Sequence, residues 1–260
     1  MSSYWSFLAS GTLWSYDDAQ ASAGGTMTLT PPTTQSTQST QTPPALPLQV
    51  DIVSDVVCPW CIIGYKQLMK ALAALPGQFD VTLRWHPFEL NPGMPMAGQD
   101  LREHLAQKYG TTPEQSQGAR ARLSALGESL GFTFDYFDGM RMVNTFRAHQ
   151  LLHWAAGMGR QTALKLALFE AFFSRREDVN DAGILADAAA RAGLDAVEAS
   201  AVLADARYAQ AVREEQQYWL EHEVHAVPTF YFQRQYMVPG AQEADAFVRL
   251  LQKIRAKASV

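Results

Sequence analysis

The feature that most constrains this chain is a pair of cysteines lying between two strand-like segments. Apolar and polar side chains alternate over residues 48–52 and again over 79–86, and this period of two predicts two strands. Between them, Pro59 to Leu75 predicts a helix, with Pro59 in the first turn and Pro76-Gly77 after the last one. Strand, helix and strand in such close succession are typical of a βαβ unit.

The two cysteines, Cys58 and Cys61, are the only ones in the chain. At the start of a helix, the first sulfur lies near free backbone N–H groups and the positive end of the helix dipole, which favour a thiolate. The second sulfur, one turn further on, can attack a mixed disulfide formed by the first. Trp60 adds an apolar wall for a substrate, and Pro59 adds no opposing charge.

Two other interpretations of the cysteine pair stay open. Half of a zinc site is one, although a closed structural site needs four ligands and no second cysteine pair exists. Two inert buried thiols are the other. The position of the pair between a strand and a helix favours redox chemistry.

Composition limits the remaining classes of protein. The chain has 260 residues, of which 47% are hydrophobic and 18% charged, so a packed core is expected. A formal net charge of −5 gives no broad positive field, and we therefore expect neither a nucleic acid nor a membrane surface as partner. No apolar run approaches the length of about 20 residues that spans a bilayer.

Residues 1–46 predict a disordered leader. From Thr26 to Pro47, 18 of 22 residues are Thr, Ser, Gln or Pro, which bury little apolar surface. Residues 1–65 contain neither Lys nor Arg, so the basic start of a secretory signal is missing and a cytoplasmic location is expected. Met1 and Met27 both remain candidate starts.

Residues 97–207 predict a long helical insertion in a mixed α/β layer. Thr112, Pro113 and Gln115 fit the start of one helix running towards Leu130. Further predicted helices are Met142 to Ala156, Gln161 to Phe173, one capped by Asn180 or Asp181, one capped by Asp195 with Glu198, and Ala206 to Glu221. Strands return at Thr229–Phe232 and Tyr236–Val238, before a last helix from about Glu243 to Ala256.

The segment from His225 to Phe232 places Pro228 just before a strand. A proline is tolerated at the first residue of a strand, so an ordinary strand start is one interpretation. The other is a cis bond between Val227 and Pro228 beside the dithiol, with the Val227 backbone free to pair with an extended substrate.

These motifs together resemble the DsbA-like thioredoxin superfamily, in its FrnE-like, polyketide-associated branch. The resemblance covers about Val50 to Ile254 and rests on Cys-Pro-Trp-Cys after the first strand, the helical insertion, Val227-Pro-Thr-Phe and Pro239-Gly-Ala-Gln. It implies an α/β thioredoxin fold with a large all-helical insertion, in which residues 47–96 and 208–260 form the thioredoxin-like domain and 97–207 the insertion.

The resemblance also implies a function, that of a protein disulfide oxidoreductase. Cys58 would be the nucleophile, Cys61 the resolving thiol and Pro228 the cis-proline, with Pro59, Trp60 and Val227 completing the substrate site. Substrates would be protein or low-molecular-weight thiols and disulfides; no cofactor and no metal is expected, and the oligomeric state stays open. The chain departs from the family at residues 233–235, Gln-Arg-Gln, where a glycine-containing turn is usual.

A glutathione-dependent isomerase or transferase is the alternative. Kappa-class glutathione transferases and hydroxychromene-carboxylate isomerases belong to the same branch, and Asn144-Thr with Ala148-His149 is similar to them. Those relatives usually carry a serine in place of Cys58, so the paired cysteines favour disulfide exchange. A non-catalytic binding module would be expected to have lost one cysteine.

Several other side chains are candidates for a modulating role. Asp55 fits proton transfer to the buried thiol or the closing of a turn equally well. His86 and His225 flank the predicted site and would either stabilise a thiolate or be ordinary strand-end histidines. His149 and His153 are four residues apart on one helix, but without a third ligand nearby they predict a helix-surface or core pair rather than a metal site.

Overall fold

The structure is a computed structural model that describes residues 44–258. Its strands are β1 (Leu46–Ser54), β2 (Phe79–Pro87), β3 (Gln99–Asp100), β4 (Arg141–Met142), β5 (Thr229–Phe232) and β6 (Tyr236–Pro239). The main sheet has the order β2-β1-β5-β6, with β1 parallel to β2 and β5 antiparallel to both of its neighbours. This is the parallel pair that the alternating segments predicted, extended by an antiparallel hairpin.

The helices follow in chain order: α1 (Pro59–Ala73), α2 (Leu101–Tyr109), α3 (Pro113–Ser129), α4 (Phe146–Gly157), α5 (Gln161–Phe173), α6 (Ala182–Arg191), α7 (Ala196–Asp205), α8 (Ala209–Glu221) and α9 (Ala244–Ala258). The Thr112 side chain caps α3 in the predicted capping box with Gln115. Asp181 caps α6 and Asp195 caps α7. Each cap provides an acceptor for backbone N–H groups that the helix cannot satisfy internally.

The core lies mainly on one face of the sheet. Val50 and Ile52 of β1 and Phe230 of β5 are fully buried there, and Phe230 makes an edge contact with Phe247 of α9 at 5.1 Å between ring centres. α1 packs against α9 on the same face. Since α1 is anchored by this core, its first turn is held at the end of β1.

The hairpin between β5 and β6 turns without a glycine. Gln233 and Arg234 are the central residues of a turn closed by the Gln235 N–H and the Phe232 carbonyl, and they adopt left-handed φ values of +53° and +54°. The Gln233 backbone N–H donates to the carbonyl of Gln49 at 2.9 Å, and its side-chain amide donates to the carbonyl of Pro47 at 2.6 Å. Hydrogen bonds to β1 therefore stabilise this left-handed turn, which contains no glycine.

The inserted segment differs from the prediction in two places. It is not all-helical, because β3 and β4 pair within it. The helix predicted from Met142 begins only at Phe146, since Met142 belongs to β4 and the Asn144 side chain accepts a hydrogen bond from the Phe146 N–H. Such a two-residue pairing is too short to show a period in the sequence.

Some of the residues for which domains were predicted lie outside the part of the chain that the structure describes. The leader, residues 1–46, lies outside the described residues except for its last three, and Leu46 is already the first residue of β1. Strands and helices from Pro44 onward form one compact unit. Within the described residues, no helix is long and apolar enough to cross a membrane.

Candidate active site

The two cysteines lie where β1 passes into α1. Cys58 is the N-cap residue of α1, and its N–H donates to the carbonyl of Asp55 at 3.3 Å. The Cys61 N–H donates to the carbonyl of Cys58 at 3.1 Å, so Cys61 stands in the first turn. Both are free thiols; 3% of Cys58 and none of Cys61 is exposed. Cys58 is therefore the sulfur nearer to the surface.

The loop before β5 reaches Cys58. The Cys58 thiol donates to the carbonyl oxygen of Val227, with 3.7 Å between sulfur and oxygen. The peptide bond between Val227 and Pro228 is cis. Pairing of Thr229 with Val53 of β1 aligns this loop with the dithiol, and the Pro228 carbonyl accepts from the Gly240 N–H at 2.8 Å.

The residues between the cysteines occupy the start of α1. Pro59 is the first helical residue, and it and Trp60 are partly exposed. Trp60 packs against the edge of the core. Pro59 and Trp60 thus follow Cys58 directly in the chain, and Pro228 follows Val227, whose carbonyl contacts the Cys58 sulfur.

A lysine that sequence reasoning missed lies behind the dithiol. Lys165 of α5 is fully buried, and its Nζ donates to the carbonyl of Ser54 at 3.3 Å. The same nitrogen lies 5.4 Å from the Trp85 ring and 5.1 Å from the Phe169 ring. Burial lowers the pKa of Lys165 to about 8. In the sequence it is one lysine inside an apolar helix, and only its full burial distinguishes it.

The pKa values of the two thiols depend on each other and on the groups around them. The hydrogen bond with Cys61, followed by burial, raises the pKa of Cys58. Burial acts to raise the pKa of Cys61 as well, but the hydrogen bond with Cys58 and the charge of Lys165 leave it lowered. The two thiols therefore titrate as a coupled pair, and the thiolate expected at Cys58 from the helix N-terminus stays a prediction.

Asp55 is buried beside the dithiol. Its carboxylate accepts from the Leu90 N–H at 2.8 Å and lies 3.3 Å from Nε2 of His149. Burial acts to raise the pKa of Asp55, but the contacts with His149 and Leu90 leave it lowered. Asp55 therefore stays an anion and joins the loop before α1 to the inserted helix α4.

The two histidines predicted to flank the site have other partners. Nε2 of His86 lies 2.8 Å from Asp51, its Nδ1 lies 2.6 Å from Glu215, and its ring packs on Trp219. His225 is exposed and lies 3.3 Å from Glu223. None of the contacts that the structure records for either histidine is with a cysteine.

His149 and His153 have the carboxylate neighbours that the sequence did not reveal. His149 is buried against Asp55, and His153 lies 3.4 Å from Glu215. The two rings thus contact separate carboxylates. Over residues 44–258, no group of three or more His, Cys, Asp or Glu side chains is arranged to hold a metal ion.

Comparison with known proteins agrees with this geometry. A family model described as a DSBA-like thioredoxin domain matches residues 49–252. The uncharacterized protein YwbO of Bacillus subtilis is 25% identical over 205 residues, which cover 78% of this chain and 96% of that protein.

Two solved structures are informative. A protein described as a probable DsbA oxidoreductase of Streptomyces coelicolor is 38% identical, with a TM-score of 0.75 over 79% of this chain and 89% of that one. A 2-hydroxychromene-2-carboxylate isomerase is 14% identical, with a TM-score of 0.59 over 81% and 98%, and shows only a shared fold. With four-fifths of its length spanned by the family model, the chain belongs to the DSBA-like thioredoxin domain family.

Proposed function

We propose that this protein is a thiol–disulfide oxidoreductase that uses Cys58 as nucleophile and Cys61 as resolving thiol. The observation that carries the proposal is the position of the Cys58 sulfur, at the N-cap of α1 and 3.7 Å from the Val227 carbonyl, with Cys61 in the following turn. Cys58 is the more exposed of the two, so access selects it for the first attack. Helix N-terminal N–H groups stabilise the charge that the attacking sulfur carries.

The reaction consists of two exchanges. The Cys58 thiolate attacks one sulfur of a substrate disulfide, a Cys58–substrate bond forms, and the other substrate sulfur leaves and takes up a proton. Cys61 then loses its proton and attacks Cys58, which releases the second substrate thiol. Two electrons pass from the dithiol to the substrate, and the reverse sequence oxidises a substrate dithiol.

Substrate recognition follows from the groups around Cys58. An extended segment is expected to pair with the Val227 backbone, beside Pro228, while its apolar side chains contact Trp60 and Pro59. Main-chain pairing is independent of side-chain identity and therefore tolerates many substrate sequences. Protein and low-molecular-weight disulfides both remain candidate substrates, and the FrnE-like branch and the cytoplasmic location remain predictions.

Disulfide exchange is favoured over the isomerase alternative by one observation. Two free thiols lie three residues apart at the start of one helix, and exchange chemistry uses both of them. The isomerase shares the fold at 14% identity, which carries no activity to this chain.

The proposal is tested by assaying the reduction of insulin by dithiothreitol and the oxidation of a reduced model protein. We expect the purified protein to catalyse at least one of these reactions, and Cys58→Ser to lose the activity by more than about 100-fold because the nucleophile is gone. Thermal unfolding of the variant serves as the folding control. Full activity of folded Cys58→Ser in both assays would contradict the proposal.

A further inference from the structure

A small apolar cluster lies apart from the main core, between α8 and the end of β1. Its buried members are Val53 of β1, Trp219 of α8 and Val224, which follows α8. Val227, whose carbonyl contacts the Cys58 sulfur, is partly buried and packs on this cluster as well as on the main core. Residues that were not assigned to the exchange reaction therefore adjoin the proposed substrate site.

The Val227 backbone has few hydrogen bonds of its own. Over residues 44–258, the hydrogen bond recorded for it is the one from the Cys58 thiol to its carbonyl, and none is recorded for its N–H. The bond from Cys58 uses the thiol proton, so it is lost when the sulfur becomes the attacking thiolate. During the attack, the packing of the Val227 side chain must then keep its backbone near the sulfur.

Trp219 fixes the start of the loop that joins α8 to β5. The Val224 N–H donates to the Trp219 carbonyl at 3.0 Å. Trp219 is 8% exposed, and the centre of its ring lies 4.7 Å from that of His86 and 5.1 Å from that of Tyr231. Trp219 thus contacts both β2 and β5, and it has the largest side chain of the cluster.

The helix that carries Trp219 is anchored to the sheet beside it. Glu215 stands four residues before Trp219 and therefore on the same face of α8. One oxygen of the Glu215 carboxylate lies 2.6 Å from Nδ1 of His86, and the ring of the same histidine packs on Trp219. The position of the Trp219 side chain is therefore determined by β2 as well as by its own helix.

We propose that Trp219 is a positioning residue that makes the site specific for peptide disulfides, by holding the Val227 backbone where a substrate segment can pair with it during attack by Cys58. The inference rests on the proposed function, in which such a segment binds the Val227 backbone. An extended peptide binds through its main chain, so it requires this backbone at a fixed distance from the sulfur. A small disulfide without a main chain makes no such pairing and needs only access to Cys58.

A smaller side chain at position 219 is expected to leave a space in the cluster on which Val227 packs. Neighbouring side chains close such a space only in part, and the loop gains freedom to move away from Cys58. The ring of Trp219 rather than its N–H carries this role, because among the described residues Nε1 has no hydrogen-bond partner. Trp219→Phe should therefore keep most of the effect, whereas Trp219→Leu should lose it.

The test compares two substrates that release the same coloured nitrothiobenzoate thiolate. One is the symmetrical aromatic disulfide, and the other is a mixed disulfide of nitrothiobenzoate with a cysteine inside an extended peptide. In both, a bond from Cys58 to the substrate sulfur forms, and the aromatic thiolate leaves with the electron pair of the broken S–S bond. The first release from protein in the dithiol state is measured against substrate concentration for the wild type, Trp219→Leu, Trp219→Phe and Leu220→Ala. Leu220 is the matched control, because it neighbours Trp219 in sequence but is 42% exposed and lies outside the cluster.

For the peptide disulfide, we expect Trp219→Leu to raise the half-saturating concentration about tenfold with little change in the maximal rate, the split that lost binding produces. The rate with the aromatic disulfide should stay within about twofold of the wild type, since that substrate does not use the Val227 backbone. Trp219→Phe should change the half-saturating concentration by less than about threefold, and Leu220→Ala should leave it unchanged. Circular dichroism serves as the folding control.

A second variant covers the case in which Trp219→Leu does not fold. Val224→Ala removes two methyl groups from the same cluster, and Val224 is 2% exposed. We expect it to raise the half-saturating concentration of the peptide disulfide about threefold and to leave the aromatic disulfide unaffected. Val224→Ala alone then decides the matter.

The outcomes separate this inference from the proposed function. If the wild type releases the thiolate from neither substrate, the proposed function itself fails. If the wild type reacts with both, and the folded cluster variants bind the peptide disulfide as the wild type does, the exchange function stands and the role of Trp219 is overturned. An equal slowing with both substrates also overturns it, because a general distortion of the site would then explain the loss.

Discussion

The two faces of the main sheet carry different kinds of side chain, apolar on one face and partly charged on the other. On one face, Val50, Ile52 and Phe230 are fully buried under α1 and α9. On the other face, Asp51 pairs with His86, and the apolar cluster there is a small one around Val53, Trp219 and Val224. Neighbouring residues of the same strands thus face a dry core and a charged layer, because alternate side chains point to opposite faces.

The two faces therefore contribute to the structure in different ways. The apolar face fixes α1 and hence the position of Cys58, whereas the charged layer joins β2 to α8 through His86 and Glu215. On the first face, the fold is stabilised by the burial of apolar surface and by dispersion. On the second, contacts of His86 with Asp51 and Glu215 are kept although burying charged groups costs desolvation.

Substitutions at adjacent residues of β5 give the strongest contrast. Phe230 is fully buried against Phe247, while Tyr231 is partly exposed and packs on Trp219 at 5.1 Å between ring centres. We expect Phe230→Ala to lower the free energy of unfolding by about 4 kcal/mol and Tyr231→Ala by about 2 kcal/mol. Urea unfolding monitored by circular dichroism measures both. Equal losses would mean that the faces contribute alike.

A methyl group added beneath α1 tests how tightly the apolar face is packed. A Cβ at Gly64 would lie 3.0 Å from the Phe230 ring and 3.3 Å from the Ala241 backbone. We expect Gly64→Ala to cost about 2 kcal/mol through overpacking. Gly157→Ala at the end of α4 is the control, since nothing lies within 4 Å and the change should be neutral or slightly stabilising. A neutral Gly64→Ala would show that α1 can shift.

The charged face should make stability depend on pH. Burial acts to lower the pKa of His86, but its contacts with Asp51 and Glu215 leave it raised, so its contribution is complete below the ordinary value of about 6.5 and is lost as the pH rises through the raised pKa. The pKa of Glu215 is lowered to about 2, so its contribution is present above about 4.5 and is lost as the pH falls. The two contributions therefore overlap between about pH 4.5 and 6.5.

We expect His86→Gln to destabilise the fold by about 1 kcal/mol more near pH 5.5 than near pH 9. Urea unfolding at both pH values measures this difference. His225→Gln, which removes an exposed histidine, should show no such dependence. The interpretation of the charged face fails if the His86→Gln deficit is the same at both pH values.

Local patterns predicted the elements that depend on local residues. α5 and β5 have the predicted bounds, Gln161–Phe173 and Thr229–Phe232, because a long apolar helix and a β-branched and aromatic run are decided by their own residues. β3 and β4 were missed because each owes its existence to a partner some forty residues away.

The candidate site shows the same difference between local and long-range features. Cys58 and Cys61 were found from their spacing, since the motif carries the chemistry within one turn. Lys165 and the Asp55–His149 pair were missed because contacts across 111 and 94 positions of chain leave no periodic signal. The charge of Lys165 acts on the pKa of Cys61, and the helix dipole alone does not include this influence.

Trapping the mixed disulfide tests the central claim most directly. Cys61→Ser should accumulate a covalent adduct on Cys58 when mixed with a peptide disulfide, because the first exchange proceeds and the resolving thiol is missing. Peptide mapping by mass spectrometry should locate the adduct at Cys58, while Cys58→Ser forms none under the same conditions. An adduct on Cys61 of Cys58→Ser at an equal rate, or none on Cys58 of Cys61→Ser, would contradict the account.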